Sequence, residues 1–228
     1  MQLVKKGKTK DVYQLENGHY LLKFKDDVTG EDGKFDPGAN SVGLSIEGVG
    51  RAGLEMSSYF FEQLNQANIA THFVKANLDE QTMEVKPAQV FGKGLEVICR
   101  LKAVGSFYRR YGEYIEEGAD LPQFVEFTIK DDERQDPPIN AEGLMILNIL
   151  NEKQIEQILS LTRQITNLVA EDLAKHQLDL YDIKFEFGLL EDSDEVVLID
   201  EISGGNMRVY QGERYIGPLE LHKILFSK

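Results

Sequence analysis

Asp182-Ile183-Lys184-Phe185-Glu186-Phe187 alternates charged and apolar residues without a break. Successive side chains on a strand point to opposite faces, so Ile183, Phe185 and Phe187 belong to a core while Asp182, Lys184 and Glu186 share the other face. Downstream, Val196-Val197-Leu198-Ile199 is apolar on both faces, as a buried strand is, and it ends in Asp200-Glu201. The acidic stretch Glu191-Asp192-Ser193-Asp194 reads as the loop joining the two strands. Taken alone, the polar face is a solvated surface strand. Beside a buried neighbour ending in carboxylates it becomes a convergent cluster. Mg²⁺ suits such a cluster, because it takes one or two carboxylates and completes its shell with water and substrate phosphates. Hairpin register presents either Asp200 or Glu201 to the face of Glu186, and spacing does not choose between them.

Just before this hairpin, Ile155, Ile158, Leu159, Ile165, Leu168, Val169 and Leu173 recur at helical spacing, with Asn151 and Gln154 as a capping pair. Strand-like runs occupy 83–91 and 95–101, and a polar stretch covers 128–143. Residues 54–67 are helical in pattern, with Met56, Tyr59, Phe60 and Leu64 on one face. The glycine-rich residues 26–53 read as a long loop, and residues 1–25 as strands joined at Glu16-Asn17-Gly18. The mixture is α+β, with antiparallel strands first and helices inserted. A smaller N-terminal lobe over residues 1–80 and a larger one over residues 81–228 are expected.

The chain has 228 residues, 42% of them hydrophobic, enough for a proper core. No apolar run approaches the roughly 20 residues needed to span a bilayer, and the N-terminus has no signal-peptide pattern. Cys99 is the single cysteine, so a reducing cytoplasm is the expected compartment. A net charge of −14 argues against nucleic-acid or anionic-membrane partners. An acidic protein that binds phosphates must gather its cations locally. Two clusters do so: Lys5, Lys6, Lys8 and Lys10, and Arg100, Lys102, Arg109 and Arg110. A solvated face is the plain alternative for each.

Lys6-Gly7-Lys8-Thr9-Lys10 is not a Walker loop, but a glycine among lysines in a turn lets backbone N–H groups approach a phosphate. A flexible basic terminus fits it equally. In the segment 96–111 a strand ends, Ala103 and Gly105 permit a turn, and Ser106, Arg109 and Arg110 follow. That arrangement suits an anionic small molecule, since arginine grips carboxylate or phosphate bidentately. His72, His176 and Cys99 have no partner suggested by spacing and read as structural.

Six ordered blocks together resemble the SAICAR synthetase (phosphoribosylaminoimidazole-succinocarboxamide synthase) family: KGKTKDVY (6–13), DDVTGEDG (26–33), NIATHFV (68–74), EVICRLKAVGSFYRRYG (96–112), VEFTIKDDERQDPPIN (125–140), and DIKFEFG (182–188) with VVLIDEIS (196–203). The resemblance implies two α+β lobes with an ATP cleft between them, similar to kinases and ATP-grasp ligases. It implies an ATP-dependent ligase of purine biosynthesis that joins the carboxylate of a carboxylated imidazole ribotide to the amine of aspartate through an acyl phosphate. By the same resemblance Lys8 and Lys10 touch the ATP phosphates, Lys130 lies near the nucleotide, and Glu186 and Asp200 hold Mg²⁺. Arg100, Ser106 and Arg208 bind the ribotide, with Asp182 and Lys184 beside them as the catalytic pair. The chain departs from the family's pattern at residues 50–57 and 204–211, where Arg51 replaces a lysine and Gly204-Gly205 replaces Pro-Asp. The family's later arginine-bearing helix has no counterpart before Lys228, so the ATP half is expected to be the better preserved. Two other readings remain: a divergent ligase for another carboxylate or amine, and a nucleotide-binding protein without catalysis. A homodimer is left open.

Overall fold

The computed structural model describes every residue except Asp32, Ala39, Asn40, Asp192, Asp194, Ser227 and Lys228. One residue of the 26–33 block and two of the acidic 191–194 loop therefore lie outside the described residues.

Hairpin chemistry opens the chain. Strands β1 (Gln2–Lys6), β2 (Lys10–Gln14) and β3 (Tyr20–Phe24) run antiparallel. The β1–β2 turn closes with the Gly7 amide donating to the Lys10 carbonyl at 2.9 Å, and a side chain at Gly7 would overlap that carbonyl. The stretch expected to be one long loop instead folds into a small sheet of β4 (Asp27–Glu31), β5 (Lys34–Phe35) and β6 (Val42–Ser45). Helix α1 (Val49–Gln66) also starts earlier than the apolar pattern suggested. Gly50 and Gly53 in its first two turns disguise it, since glycine is a poor helix former. Tertiary approach explains the first of these, because a β-carbon at Gly50 would sit 2.6 Å from the Lys25 carbonyl oxygen. The Asp26 carboxylate accepts from the Gly48 and Gly50 amides at 3.0 and 2.9 Å, satisfying donors left open at the helix start.

Strands β7 (Phe73–Asn77) and β8 (Thr82–Val85) return to the first sheet, whose order is β1-β2-β3-β8-β7. Residue 80 thus falls in a turn inside that sheet. Next come β9 (Ala88–Val90), β10 (Leu95–Lys102), α2 (Gly105–Tyr111), β11 (Asp120–Ile129), β12 (Pro138–Ile139), α3 (Ala141–Ile146) and α4 (Glu152–Ala174). The chain ends in β13 (Asp179–Leu190), β14 (Val196–Ile199), β15 (Met207–Gln211), β16 (Arg214–Ile216) and α5 (Pro218–Phe226).

The twelve-residue β13 is the spine of the second sheet, which has eight strands. Its first half pairs with β15 and β10, its second half with β14 and β9, all antiparallel. One face of this sheet packs on α4. Val97, Cys99, Phe127, Ile183 and Phe185 from the strands and Ile158, Ile165 and Val169 from the helix are buried in one core. That core also takes in Phe60, Phe61 and Leu64 of α1 and Met83 of β8, tying the two sheets together. The opposite face of β10, β11 and β13 is left to the charged residues.

The expected capping box on α4 is present: the Asn151 side chain accepts from the Gln154 amide, and Gln154 Oε1 accepts from the Asn151 amide, both at 2.9 Å. Asn151→Ala is expected to cost about 1 kcal/mol. In a domain of this size that lowers Tm by roughly 2–4 °C, which calorimetry can read. An unchanged Tm would show that α4 is held by its buried face alone.

Candidate active site

Strand register builds the site. In β13, Asp182 stands opposite Arg100 of β10 on one side and Arg208 of β15 on the other. Alternation then puts Asp182, Lys184 and Glu186 on the face that carries Glu96 and Arg100 from β10 and Glu126 and Thr128 from β11.

The first half of this face is an alternating chain of charges. Arg100, 1% exposed, donates through Nε and Nη2 to Glu126 Oε2 at 3.2 and 2.9 Å. Its Nη1 reaches Asp182 at 3.2 Å and its Nη2 reaches Ser106 Oγ at 2.9 Å. Arg208 bonds the same Asp182 oxygen at 2.7 Å and Asp36 Oδ1 at 2.6 Å. Arg110 closes the far end on Glu126, and Arg109 approaches Asp36 at 3.8 Å. The backbone makes room for this chain. Gly105, at φ +57°, and Gly38 lie so close to the Arg208 guanidinium that a β-carbon at either would fall 2.7–2.8 Å from it. Burial pushes the Asp36 carboxyl up, but the Gly38 amide and the two arginines outweigh it and hold Asp36 below the usual carboxylate range.

In the second half, lysines meet carboxylates. Lys10 of β2 lies 3.0 Å from Asp200 and also bonds Glu201. Lys130 bonds Glu186 at 2.6 Å. Lys184 bonds Glu96 at 2.7 Å, and Thr128 Oγ1 donates to the other Glu96 oxygen at 3.3 Å. Lys8 is half-exposed and reaches Asp132 at 2.7 Å. Burial alone would depress Lys10 and Lys130. Asp200 and Glu201 around the first, and Glu186 and Asp200 around the second, hold both well above the ordinary lysine range.

The two carboxylates at the end of the hairpin behave oppositely. Burial raises Glu186 and, with the neighbouring Asp200 and Glu96 charges, outweighs the lowering by Lys130. Burial raises Asp200 as well, but Lys10 and Lys130 outweigh it and hold it below the usual range. Register does not choose between Asp200 and Glu201, since both leave the strand. Asp200 takes a left-handed backbone at φ 70°, and Glu201 turns to Lys10 and to the Ser203 hydroxyl, 2.5 Å away. Asn206 holds this turn, donating to the Glu201 and Lys184 carbonyls at 2.7 and 3.0 Å.

All ten residues expected from sequence thus lie along one polar face or its rim. Their partners Asp36, Glu96 and Glu126 were missed: strand register alone pairs Glu96 and Glu126, and Asp36 comes from the β5–β6 connection, which no pattern in the sequence places. Among the described residues no three acidic, histidine or cysteine groups converge as a metal cage. A divalent ion at Glu186 and Asp200 would take two protein carboxylates and draw its other ligands from phosphate and water, which is the habit of Mg²⁺. A groove of about 660 Å³ opens beside the far end of this charged chain, between β11, β12 and α4. Phe124, Phe127, Pro138, Ile139 and Leu159 line it with Glu126 as its one ionisable residue, so it lacks the charge that a phosphate needs.

The SAICAR synthetase family model matches residues 3–223. The phosphoribosylaminoimidazole-succinocarboxamide synthase of Clostridium tetani is 57% identical over 227 residues, spanning 100% of both chains. That of Thermotoga maritima is 40% identical over 205 residues, 89% of this chain and 83% of its own. A SAICAR synthetase solved in complex with ADP superposes with a TM-score of 0.86 at 26% identity, covering 99% of this chain and 98% of that one.

The opposite shifts predict an asymmetry. The fold disfavours the charged form of Glu186, so Glu186→Gln should leave the ligand-free Tm unchanged or raise it at neutral pH. It favours the charged form of Asp200, so Asp200→Asn should lower Tm by roughly 3 °C, about 1 kcal/mol. Equal shifts in the same direction would contradict this electrostatic reading.

Proposed function

The chain belongs to the SAICAR synthetase family, and on that premise we propose how its charged face performs the reaction. It is an ATP-dependent ligase of purine biosynthesis, joining a carboxylated imidazole ribotide and L-aspartate. Among the described residues no helix is long and apolar enough to cross a membrane.

The observation that carries the reading is the order of charges along β13. Asp182, Lys184 and Glu186 follow one another on a single face, and bond in turn Arg208 of β15, Glu96 of β10 and Lys130 just past the end of β11. At about 3.3 Å per residue, Asp182 and Glu186 lie roughly 13 Å apart along the strand, with Lys184 midway. That span accommodates a carboxylate acceptor at one end and a nucleoside triphosphate at the other. The reacting phosphoryl group would lie over Lys184.

In this reading Lys10, Lys130 and, at the rim, Lys8 bind the ATP phosphates. Lys10 and Lys130 now rest on Asp200 and Glu186. Bound Mg²⁺ would neutralise charge between these two carboxylates and the phosphates. Both lysines are then free to turn to phosphate oxygens while their charge stays in place. Arg208 and Ser106 bind the ribotide, and Asp182 orients Arg208. Arg100 has a different part in the same half. With Glu126, Asp182 and Ser106 already on its guanidinium, it positions Asp182 and Ser106 for the ligand. The acceptor carboxylate oxygen attacks the γ-phosphorus and ADP leaves with the bridging oxygen. The aspartate amine then attacks the acyl carbon, phosphate leaves, and the nitrogen loses a proton. Phosphoryl transfer of this kind needs positioning and charge stabilisation rather than an enzyme nucleophile, and Lys184 supplies the charge nearest the transferred group. We also read two lobes, a smaller one that carries the first sheet and ends after β8 near residue 85 rather than at 80, and a larger one that carries the eight-stranded sheet, with the nucleotide between them.

ADP release measured with the ribotide and aspartate separately and together tests the assignment. Full turnover is expected only with both, and Lys184→Met should lower kcat by at least about 100-fold. Release driven by another carboxylate–amine pair, with none from this pair, would favour the divergent ligase instead.

A further inference from the structure

Thr128 of β11, Glu96 of β10 and Lys184 of β13 form a second line of polar side chains across the sheet, beside the line of Glu126, Arg100 and Asp182. Glu96 stands opposite Thr128 in the strand pairing. Its Oε2 accepts from Thr128 Oγ1 at 3.3 Å and its Oε1 from Lys184 Nζ at 2.7 Å. Both carboxylate oxygens are thus engaged, and the plane of the group is set. Glu96 and Thr128 are buried, whereas the Lys184 side chain is 26% exposed. The lysine is therefore the outer member of the line.

Stability does not account for a carboxylate at this place. Taking a charge out of water is costly, and well-packed apolar residues often serve a fold as well as a buried ion pair does. What the pair supplies is order. Lysine carries its charge on a flexible four-carbon stem, so an unheld ammonium would range widely over the sheet. On its own strand the neighbouring carboxylates are taken, Asp182 by Arg208 and Arg100, and Glu186 by Lys130. An ammonium has three N–H donors, so resting one on Glu96 leaves two for a phosphoryl group. Stabilising charge on a transferred group depends on donors that are in place before the reaction.

We propose that Glu96 is a positioning residue for phosphoryl transfer: from β10 it holds the Lys184 ammonium over the middle of β13, and Thr128 fixes Glu96 in turn. The proposal rests on the reading of Lys184 as the charge nearest the transferred group. Glu96 touches neither nucleotide nor acceptor and acts through the lysine.

The test is a double-mutant cycle on the full chain, read as ADP release with ATP, the ribotide and aspartate. Wild type, Glu96→Gln, Lys184→Met and the two changes together are compared. Glu96→Gln keeps size and shape but offers the ammonium a weaker, neutral acceptor. It should lower kcat by about 10- to 30-fold, with KM for ATP and for the ribotide within about twofold, since small misplacements of a catalytic group are costly. In the Lys184→Met background the same change should alter kcat by less than about twofold, because no ammonium remains to be placed. A merely structural role would give the same loss in both backgrounds, or raise both KM values with it, and either result overturns the proposal. If Lys184→Met is impaired and Glu96→Gln stays within about twofold of wild type, the Glu96 proposal alone is overturned. If Lys184→Met itself stays within about threefold of wild type, the reading of Lys184 falls and the proposal with it. Should Lys184→Met fail to fold, Thr128 decides. Thr128→Val, without the hydroxyl, should lower kcat by about threefold at unchanged KM, while Thr128→Ser, which keeps it, should match wild type. Equal kcat in these two variants overturns the proposal.

Discussion

The Arg100 guanidinium, buried to 1% exposure at the centre of a sheet, is the constraint on which the rest of this structure depends. Moving such an ion from water into a protein interior costs several kcal/mol even after relaxation. Only close, well-directed carboxylates offset that cost. Glu126 and Asp182 do so from the strands on either side, which pins the register of β11, β10 and β13 at once. Asp182, so fixed, becomes the anchor for Arg208, and Arg208 in turn draws in Asp36 from the β5–β6 connection. Losing Glu126 or Asp182 would strip the buried Arg100 of one of its two carboxylates, and breaking a buried pair of this kind costs about 3–5 kcal/mol. The chain of charges is thus a rigid template, and rigidity is what an acceptor site needs when its ligand is small and anionic.

The lysine–carboxylate half works on a different principle. Its pairs are adjacent to solvent on at least one side: Lys130 is 40% exposed and Glu186 17%. Lys10 and Lys130 lie on carboxylates that chemistry would assign to a cation, so each of them has a counter-charge before any ligand arrives. Exchange of partners, rather than creation of charge, is then all that nucleotide binding requires. In the proposed reading a rigid acceptor template and an exchangeable nucleotide half meet on one strand, with Lys184 between them.

Much of this was legible in the sequence where a single periodicity spoke. The alternation of 182–187 and the all-apolar 196–199 identified the central hairpin and its polar face. The α4 stripe and its capping pair were equally plain. Legibility ended where tertiary contact overrode local pattern. Residues 26–53 looked like a loop because their strands are short and glycine-bearing, and α1 hid its start behind Gly50 and Gly53. Asp200 and Glu201 could not be separated because the backbone turns left-handed at the very residue where alternation would have chosen. Glu96 and Glu126 are ordinary strand residues until register sets them beside Lys184 and Arg100. His72, read as structural, is buried beside a parallel bridge between Thr71 and Leu198 that no spacing reveals.

The central claim is that one sheet face holds nucleotide and acceptor in line, with Glu186 and Asp200 at the nucleotide end. A crystal structure with ADP, Mg²⁺ and the ribotide measures it directly. The account predicts the metal bonded to both carboxylates at about 2.1 Å, Lys10 and Lys130 turned onto phosphate oxygens, and the ribotide against Arg208 and Ser106. A nucleotide whose phosphates lie away from β13, or a metal bound without either carboxylate, would contradict it.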